Sequence, residues 1–197
     1  MSDLPGLDAY ARSYLAEARE ALRDDYVIAA MRRIVPIVLE ARARGRHVFL
    51  FGNGGSASTA SHFVTDLAKV ARRGDAPAIR SLALTDNIPS VTAWANDRDY
   101  ASIFSEQLRA LGSAGDVAIA ISGSGNSPNV LAAVAVASEL GLRTIGLTGI
   151  GGGKLKDLVE VPVVVPSDSM QHVEDVHVSL LHLLTAYLRD EGPTSSR

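Results

Sequence analysis

The first 44 residues carry apolar side chains at three- and four-residue steps, the spacing of an amphipathic helix. The stripe through Tyr10, Tyr14 and Leu15 predicts a helix over 7–24. A second helix is predicted over 26–44, with a kink or an early break at Pro36, because proline lacks the amide hydrogen that a helix needs. Residues 1–45 are therefore expected to form a helical extension. Its stripes must be buried, and a partner subunit is a reasonable candidate.

From residue 47 the pattern changes to short apolar runs separated by longer amphipathic stretches. The runs lie at 47–51, 79–84, 117–121, 144–147 and 161–165. Such runs are typical of strands buried on both faces of a parallel sheet. The other stretches predict helices over 58–72, 100–111, 128–140, 154–158 and 171–189. The alternation predicts a three-layer α/β fold with five parallel strands over residues 46–190. The polar tail at 191–197 is expected to be disordered.

Composition narrows the class of protein. The chain has 197 residues, of which 47% are hydrophobic and 21% charged, the balance of an ordinary globular domain. A net charge of -3 argues against a nucleic-acid binder. The absence of cysteine excludes disulfides and thiolate metal sites. Neither a secretory signal nor an apolar run of about 20 residues is present, so we expect a cytoplasmic protein that does not enter the membrane.

Two loops that follow predicted strands have the composition of phosphate-binding loops. The loop at 52–58 is rich in glycine and leads into a helix, whose free N–H groups favour an anion. The loop at 122–128 offers three serine hydroxyls, with Ser127 as a helix cap and Pro128 in the first turn. Tight turns are the alternative, but two such loops in one sheet favour a ligand. Neither loop has P-loop or dinucleotide-binding spacing, so the sequence gives little support for an ATPase or a dehydrogenase.

Histidines and acidic residues on two predicted helices are candidates for catalysis or metal binding. His62 and Asp66 are four residues apart and lie within about 40° on one helix face. On the last helix, Glu174 lies about 80° from His182 and Asp175 about 20°, so the angles do not choose between the two acids. A lone histidine on a helix is more often a packing residue. We expect His172 and His177 to face solvent or a neighbouring subunit.

Together these motifs resemble the sugar isomerase (SIS) domain family, and within it the phosphoheptose isomerases. The resemblance rests on the sequence Gly-Asn-Gly-Gly-Ser-Ala at 52–57, on the Asn96-Asp97 pair and on the serine loop at 122–127, and it covers nearly the whole chain. It implies a flavodoxin-like strand order, a homotetramer and a phosphate bound by the serine loop.

The resemblance also implies roles for individual residues. The substrate-binding set is Asn53, Gly54, Gly55, Ser56, Asn96, Asp97, Ser122, Gly123, Ser124, Ser127 and Glu174. The metal-site set is His62, Asp66, Glu174 and His182, a donor set that suits zinc or another divalent ion. Asp66 is expected to take a carbon-bound proton and His182 to relay protons, although these roles are exchangeable.

Three residues depart from the family pattern. Asp66 replaces the usual glutamate, Glu174 replaces a glutamine, and Gly123 stands where threonine is common. The family activity is the conversion of D-sedoheptulose 7-phosphate to D-glycero-D-manno-heptose 7-phosphate through an enediol or enediolate. Because the acidic residues depart from the pattern, two alternatives stay open. One is a non-catalytic phosphosugar-binding or regulatory protein, and the other is an isomerase of a different phosphosugar.

Overall fold

The computed structural model describes Leu4 and residues 6–190, so the predicted disorder at 191–197 lies outside the described residues. The helices are α1 (Leu7–Ala21), α2 (Asp24–Ala43), α3 (Gly55–Thr65), α4 (Ile88–Asp97), α5 (Ser105–Leu111), α6 (Pro128–Glu139), α7 (Leu155–Leu158) and α8 (Met170–Asp190). The strands are β1 (His47–Gly52), β2 (Arg80–Ala83), β3 (Val117–Ile121), β4 (Arg143–Thr148) and β5 (Val161–Val164). A π-helical segment, Asp66–Val70, extends α3, and short 3₁₀ turns lie at Tyr100–Ser102 and Ile150–Gly152.

The five strands form one parallel sheet in the order β2-β1-β3-β4-β5. This is the flavodoxin-like order, and it confirms the predicted fold class. The register pairs Gly52 at the end of β1 with Ile121 at the end of β3. The loops that follow these two strands therefore leave the same edge of the sheet side by side.

Both faces of the sheet are covered by helices, which explains the continuous apolar runs. Val48 and Leu50 point into one core with residues of α2, α3 and α8, whereas Phe49 and Phe51 point into a second core with residues of α5 and α6. Successive side chains of a strand alternate between faces, so each strand contributes to both cores. The result is the predicted three-layer arrangement.

The two N-terminal helices differ in how far their apolar stripes are buried. In α2, Ile34 and Val38 are buried in the core of the sheet domain. In α1, Ala21 is buried but Tyr10 is 71% exposed and Leu15 51% exposed. The helical extension is thus partly integrated into the sheet domain. The domain boundary near residue 45 stays a prediction.

Three local predictions differ from the structure. An early break at Pro36 is wrong, since α2 runs on to Ala43 with its C-terminal half packed on the sheet. The helix α4 was missed, although the Asn87 side chain accepts a hydrogen bond from the Ser90 N–H and Pro89 lies in the first turn, both local helix-start signals. The helix predicted over 100–111 is divided into a 3₁₀ turn and α5.

Candidate active site

The serine loop between β3 and α6 forms one wall of a cavity of about 300 Å³ at the carboxyl edge of the sheet. The cavity is lined by Asn53, Gly54, Gly55, Ser56, Ile121, Ser122, Gly123, Ser124, Ser127, Met170 and Glu174. The Ser122 and Ser127 hydroxyls lie 3.2 Å apart and converge on it. The polar side chains of the lining are four serines, Asn53 and Glu174, with no lysine or arginine among the lining residues.

Glycine is required at one position of the serine loop. Gly125 has φ +64°, and a Cβ there would lie 2.1 Å from the Gly152 carbonyl oxygen. The turn that follows β4 therefore packs directly against the serine loop. This contact holds the loop in its curved conformation.

The glycine loop after β1 forms the opposite wall of the cavity. Gly54 has φ +55° and ψ −123° and precedes the first turn of α3, where Ser56 is buried. The N-terminus of α3 therefore faces the cavity with the positive end of the helix dipole, while the Ser56 and Ala57 N–H groups donate to the Asn53 and Gly54 carbonyls. This arrangement is the anion-binding geometry that the loop composition predicts.

Glu174 lies at the cavity and away from His182. A Cβ added to Gly55 would lie 2.8 Å from Glu174 Oε1, so the carboxylate covers the start of α3. Glu174 and His182 are eight residues apart, about 12 Å along the helix axis, so they do not meet although only about 80° separates them around the helix. Asp175 instead contacts Tyr14 of α1. The pKa of the Tyr14 hydroxyl is raised mainly by burial, and to a smaller extent by the negative charge of Asp175. Within one chain, Glu174 therefore lines the serine-loop cavity and does not reach His182.

Asp66, His62 and His182 form a compact group farther along the interface of α3 and α8. Asp66 Oδ2 lies 3.6 Å from His62 Nε2 and 3.8 Å from His182 Nε2, and the two Nε2 atoms are 3.5 Å apart. Asp66 is 16% exposed, whereas both histidine side chains are about half exposed. The structure thus brings together the two residues predicted to be catalytic.

The group has the composition and spacing of a metal site. Its three donor atoms lie within 4.8 Å of one another, and no other such group of described residues is found. Donors at about 2.0–2.1 Å from a tetrahedral zinc ion are about 3.4 Å apart, close to the separations observed here. Two imidazoles and a carboxylate therefore fit a divalent ion after small side-chain shifts.

This group lies in a small pocket between α3 and α8, whereas the serine-loop cavity lies at the N-terminus of α3. Gly55, Thr59, His62 and Asp66 follow one another at three- or four-residue steps along α3 and its π-helical extension. His62 lies seven residues after Gly55, about 10 Å along the helix. That separation is comparable with the length of an extended seven-carbon sugar phosphate.

Asn53 is held by other side chains of the site. Its Oδ1 accepts hydrogen bonds from Asn129 Nδ2 at 2.8 Å and from the Tyr100 hydroxyl at 3.2 Å. Its Nδ2 donates to Asn129 Oδ1 at 2.9 Å. Both lone pairs of the amide oxygen are therefore used, and one N–H remains for a further hydrogen bond.

The Asn96-Asp97 pair lies apart from the serine-loop cavity within one chain. Both residues are exposed at the end of α4, and Asn96 Nδ2 donates to Asp97 Oδ1 at 2.8 Å. Neither residue is among those that line the cavity. Their role in substrate binding stays a prediction.

The expectation that His172 and His177 face solvent or a neighbouring subunit is wrong. They are 2% and 1% exposed, because α8 is covered by other parts of the same chain. The His172 ring packs 4.3 Å from the Tyr14 ring, centroid to centroid. His177 Nε2–H donates to the Thr148 carbonyl at 3.3 Å, and burial lowers the pKa of His177 to about 4.

Three further residues shape the site without having been identified from the sequence. Asn129 and Tyr100 hold Asn53, and Met170 covers Gly123, where an added Cβ would lie 2.3 Å from the Met170 sulfur. The thioether therefore fills the space in which the family threonine would stand. The sequence does carry a signal for Asn129, because a polar residue directly after Pro128 lies in the first turn of a buried helix and needs a partner.

Comparison with known proteins agrees with this geometry. The SIS domain family matches residues 10–149, and the parallel sheet with two phosphate-type loops defines a protein of this class. Phosphoheptose isomerase from Geotalea daltonii is 44% identical over 154 residues, which cover 77% of this chain and 78% of that protein. The homologue from Paramagnetospirillum magneticum is 40% identical over 170 residues, covering 86% and 85%. The chain belongs to the phosphoheptose isomerase family.

Solved structures show the same relationship. Phosphoheptose isomerase from Neisseria gonorrhoeae superimposes with a TM-score of 0.85 at 30% identity, covering 92% of this chain and 98% of that chain. The enzyme from Francisella tularensis superimposes with a TM-score of 0.83 at 28% identity, covering 95% and 98%. Among the described residues, no helix is both long and apolar enough to span a membrane.

Proposed function

We propose that the protein is an aldose–ketose isomerase that converts D-sedoheptulose 7-phosphate to D-glycero-D-manno-heptose 7-phosphate. The observation that carries the proposal is the Asp66 carboxylate beside two imidazoles, on the helical segment that begins at the serine-loop cavity. The relatives at 36–44% identity, named as phosphoheptose isomerases, support the substrate. A non-catalytic sugar-phosphate-binding protein has no need of this group.

In this proposal the phosphate is bound remotely from the reacting carbons. Ser122, Ser124 and Ser127, together with the N-terminus of α3, bind its oxygens. Binding there directs C1 and C2 along α3 towards Asp66, so that binding energy is used for orientation. The one free N–H of Asn53 and the Glu174 carboxylate are placed to bond hydroxyls of the sugar.

Proton transfer between C1 and C2 is assigned to the group formed by Asp66, His62 and His182. Asp66 takes the carbon-bound proton, and His182 moves a proton at the adjacent oxygen, with an exchange of these roles equally compatible with the geometry. His62, Asp66 and His182 are the residues that would hold a divalent ion, for which we propose zinc. Bound there, the ion would stabilise negative charge on the substrate oxygens. In a single chain Glu174 is too far along α8 to join them.

We further propose that the protein is a homotetramer. An apolar groove of about 410 Å³ between α2 and α8 is lined by Ile28, Met31, Arg32, Val35, Pro36, Leu183 and Tyr187. Ile28, Leu183 and Tyr187 are each 41–48% exposed, and Tyr10 and Leu15 of α1 add further exposed apolar surface. Contiguous apolar surface of this kind is typical of subunit interfaces. The cytoplasmic location likewise stays a prediction.

The direct test is aldose formation from sedoheptulose 7-phosphate by the purified protein. Asp66→Asn removes the base and is expected to lower kcat at least 100-fold, the usual contribution of general base catalysis. Asp66→Glu keeps a carboxylate and is expected to retain measurable turnover. The control is Glu106→Gln, because the Glu106 carboxylate on α5 is 19% exposed and pairs with Arg98 away from the three-residue group. Absence of turnover by the wild-type protein, with or without zinc, would overturn the proposal.

A further inference from the structure

Asn129 joins the two loops that bind the phosphate. It lies in the first turn of α6, directly after the serine loop, whereas Asn53 begins the glycine loop after β1. Their amides exchange two hydrogen bonds of 2.9 and 2.8 Å. The serine loop and the glycine loop are thus connected by side chains as well as by the β1–β3 pairing at Gly52 and Ile121.

The polar surroundings of Asn129 leave its amide little freedom. The residue is 2% exposed, and its Oδ1 also accepts the Val130 N–H at 3.0 Å. A buried amide that lost these partners would pay its desolvation penalty in full. The side chain is therefore held in one orientation, and Asn53 is held by it. The Tyr100 hydroxyl, exposed at the edge of the glycine loop, completes the coordination of Asn53.

We infer that Asn129 is a positioning residue for phosphate binding, which acts through Asn53 by setting the distance between the serine hydroxyls and the N-terminus of α3. This inference rests on the proposed function. The spacing of the two loops matters because the residues that line the cavity include no lysine or arginine to attract the phosphate. Affinity for the dianion depends on several short dipolar contacts made simultaneously from two loops, so a small relative displacement weakens all of them.

Inorganic phosphate is the probe, since it tests the loops independently of turnover. Isothermal titration calorimetry gives its Kd for the wild type and for Asn129→Leu, which keeps the branched shape of the side chain and removes its hydrogen bonds to Asn53 and Val130. We expect Kd for phosphate and KM for sedoheptulose 7-phosphate to rise together by about tenfold, the size of one to two hydrogen bonds. We expect kcat to change less than threefold, because Asn129 does not touch the reacting carbons.

Thr144→Val is the matched control for a merely structural effect. Thr144 is 4% exposed and its hydroxyl accepts the Glu160 N–H at 2.9 Å, at the opposite edge of the sheet. We expect this variant to lose comparable stability in urea unfolding and to keep the wild-type Kd. If Asn129→Leu does not fold, Asn129→Ser is used, because its hydroxyl is too short to span to Asn53.

A double-mutant cycle tests whether Asn129 acts through Asn53. Adding Asn129→Leu to Asn53→Ala is expected to leave the phosphate Kd of the single Asn53→Ala variant unchanged. Additive losses would overturn the inference, as would a wild-type Kd in both Asn129 variants or an equal loss in Thr144→Val. Phosphate binding without isomerisation by the wild type would refute the proposed function, while the comparison of Kd values would still decide the role of Asn129.

Discussion

Burial of His177 predicts a specific loss of stability in mild acid. The folded pKa of about 4 lies below the value of 6.5 expected for an unfolded chain. The unfolded protein therefore binds a proton as the pH falls through 6.5, while the folded protein does not until about pH 4. The contribution of His177 to stability is thus constant above pH 7 and becomes unfavourable between pH 6.5 and 4, in total by about 3 kcal/mol at 1.36 kcal/mol per pKa unit.

Replacement of His177 by glutamine isolates this contribution. Glutamine can still donate to the Thr148 carbonyl but binds no proton in this range. We expect His177→Gln to be less stable than the wild type at pH 7.5 by about 1–2 kcal/mol, from poorer packing. Between pH 7.5 and pH 5 the wild type is expected to lose about 2 kcal/mol more than the variant, so the gap between them closes.

Urea unfolding followed by the fluorescence of Trp94, the single tryptophan, measures both proteins at each pH. Protein concentration is kept constant, because dissociation of an oligomer would contribute to the transition. Carboxylates that titrate near pH 4 are common to both proteins and cancel in the difference. Identical pH dependence of the two unfolding free energies would refute the assignment of His177 as a buried neutral histidine.

Three further predictions address the loop, the apolar surface and the metal group. Gly125→Ala is expected to lower the unfolding free energy by at least about 2 kcal/mol more than Gly151→Ala. Both glycines have positive φ, but an added Cβ is blocked only at Gly125; equal losses would contradict this. Leu183→Glu is expected to reduce the mass measured by light scattering, whereas Leu111→Glu, equally exposed on α5, leaves it unchanged; an unchanged mass for the first variant would exclude that groove as an interface. His62→Gln is expected to reduce the zinc bound after dialysis at least tenfold, as measured by elemental analysis; wild-type zinc content would remove His62 from the ligands.

The architecture could be predicted because its signals are local. A strand buried on both faces must be apolar at consecutive positions, and the runs at 47–51 and 117–121 show this directly. The loops after these strands were equally readable, since glycine and serine are required where a chain turns into a helix around an anion. The helix α4 was missed although Asn87 and Pro89 marked its start.

The residues of the site were predictable as candidates but not as a geometry. His62 and Asp66 were recognised as a pair because four residues make about one helical turn. Glu174 was grouped with His182 by angle alone, and the rise along α8 separates them. Asn129 escaped notice because its partner, Asn53, lies 76 residues away in the sequence.

The amino-acid sequence by itself determined the elements, the parallel sheet and the two anion-binding loops. Backbone geometry imposes periods of 2 and 3.6 residues on any buried face, and these periods are visible in one dimension. Tertiary packing alone decided that His182 meets His62, 120 residues earlier, and that His177 is buried. The rotation of α8 about its own axis turns His182 towards α3 and His177 towards the end of β4. This rotation depends on how whole helices fit against the sheet. That fit depends on contacts between residues remote in sequence, which no local pattern encodes.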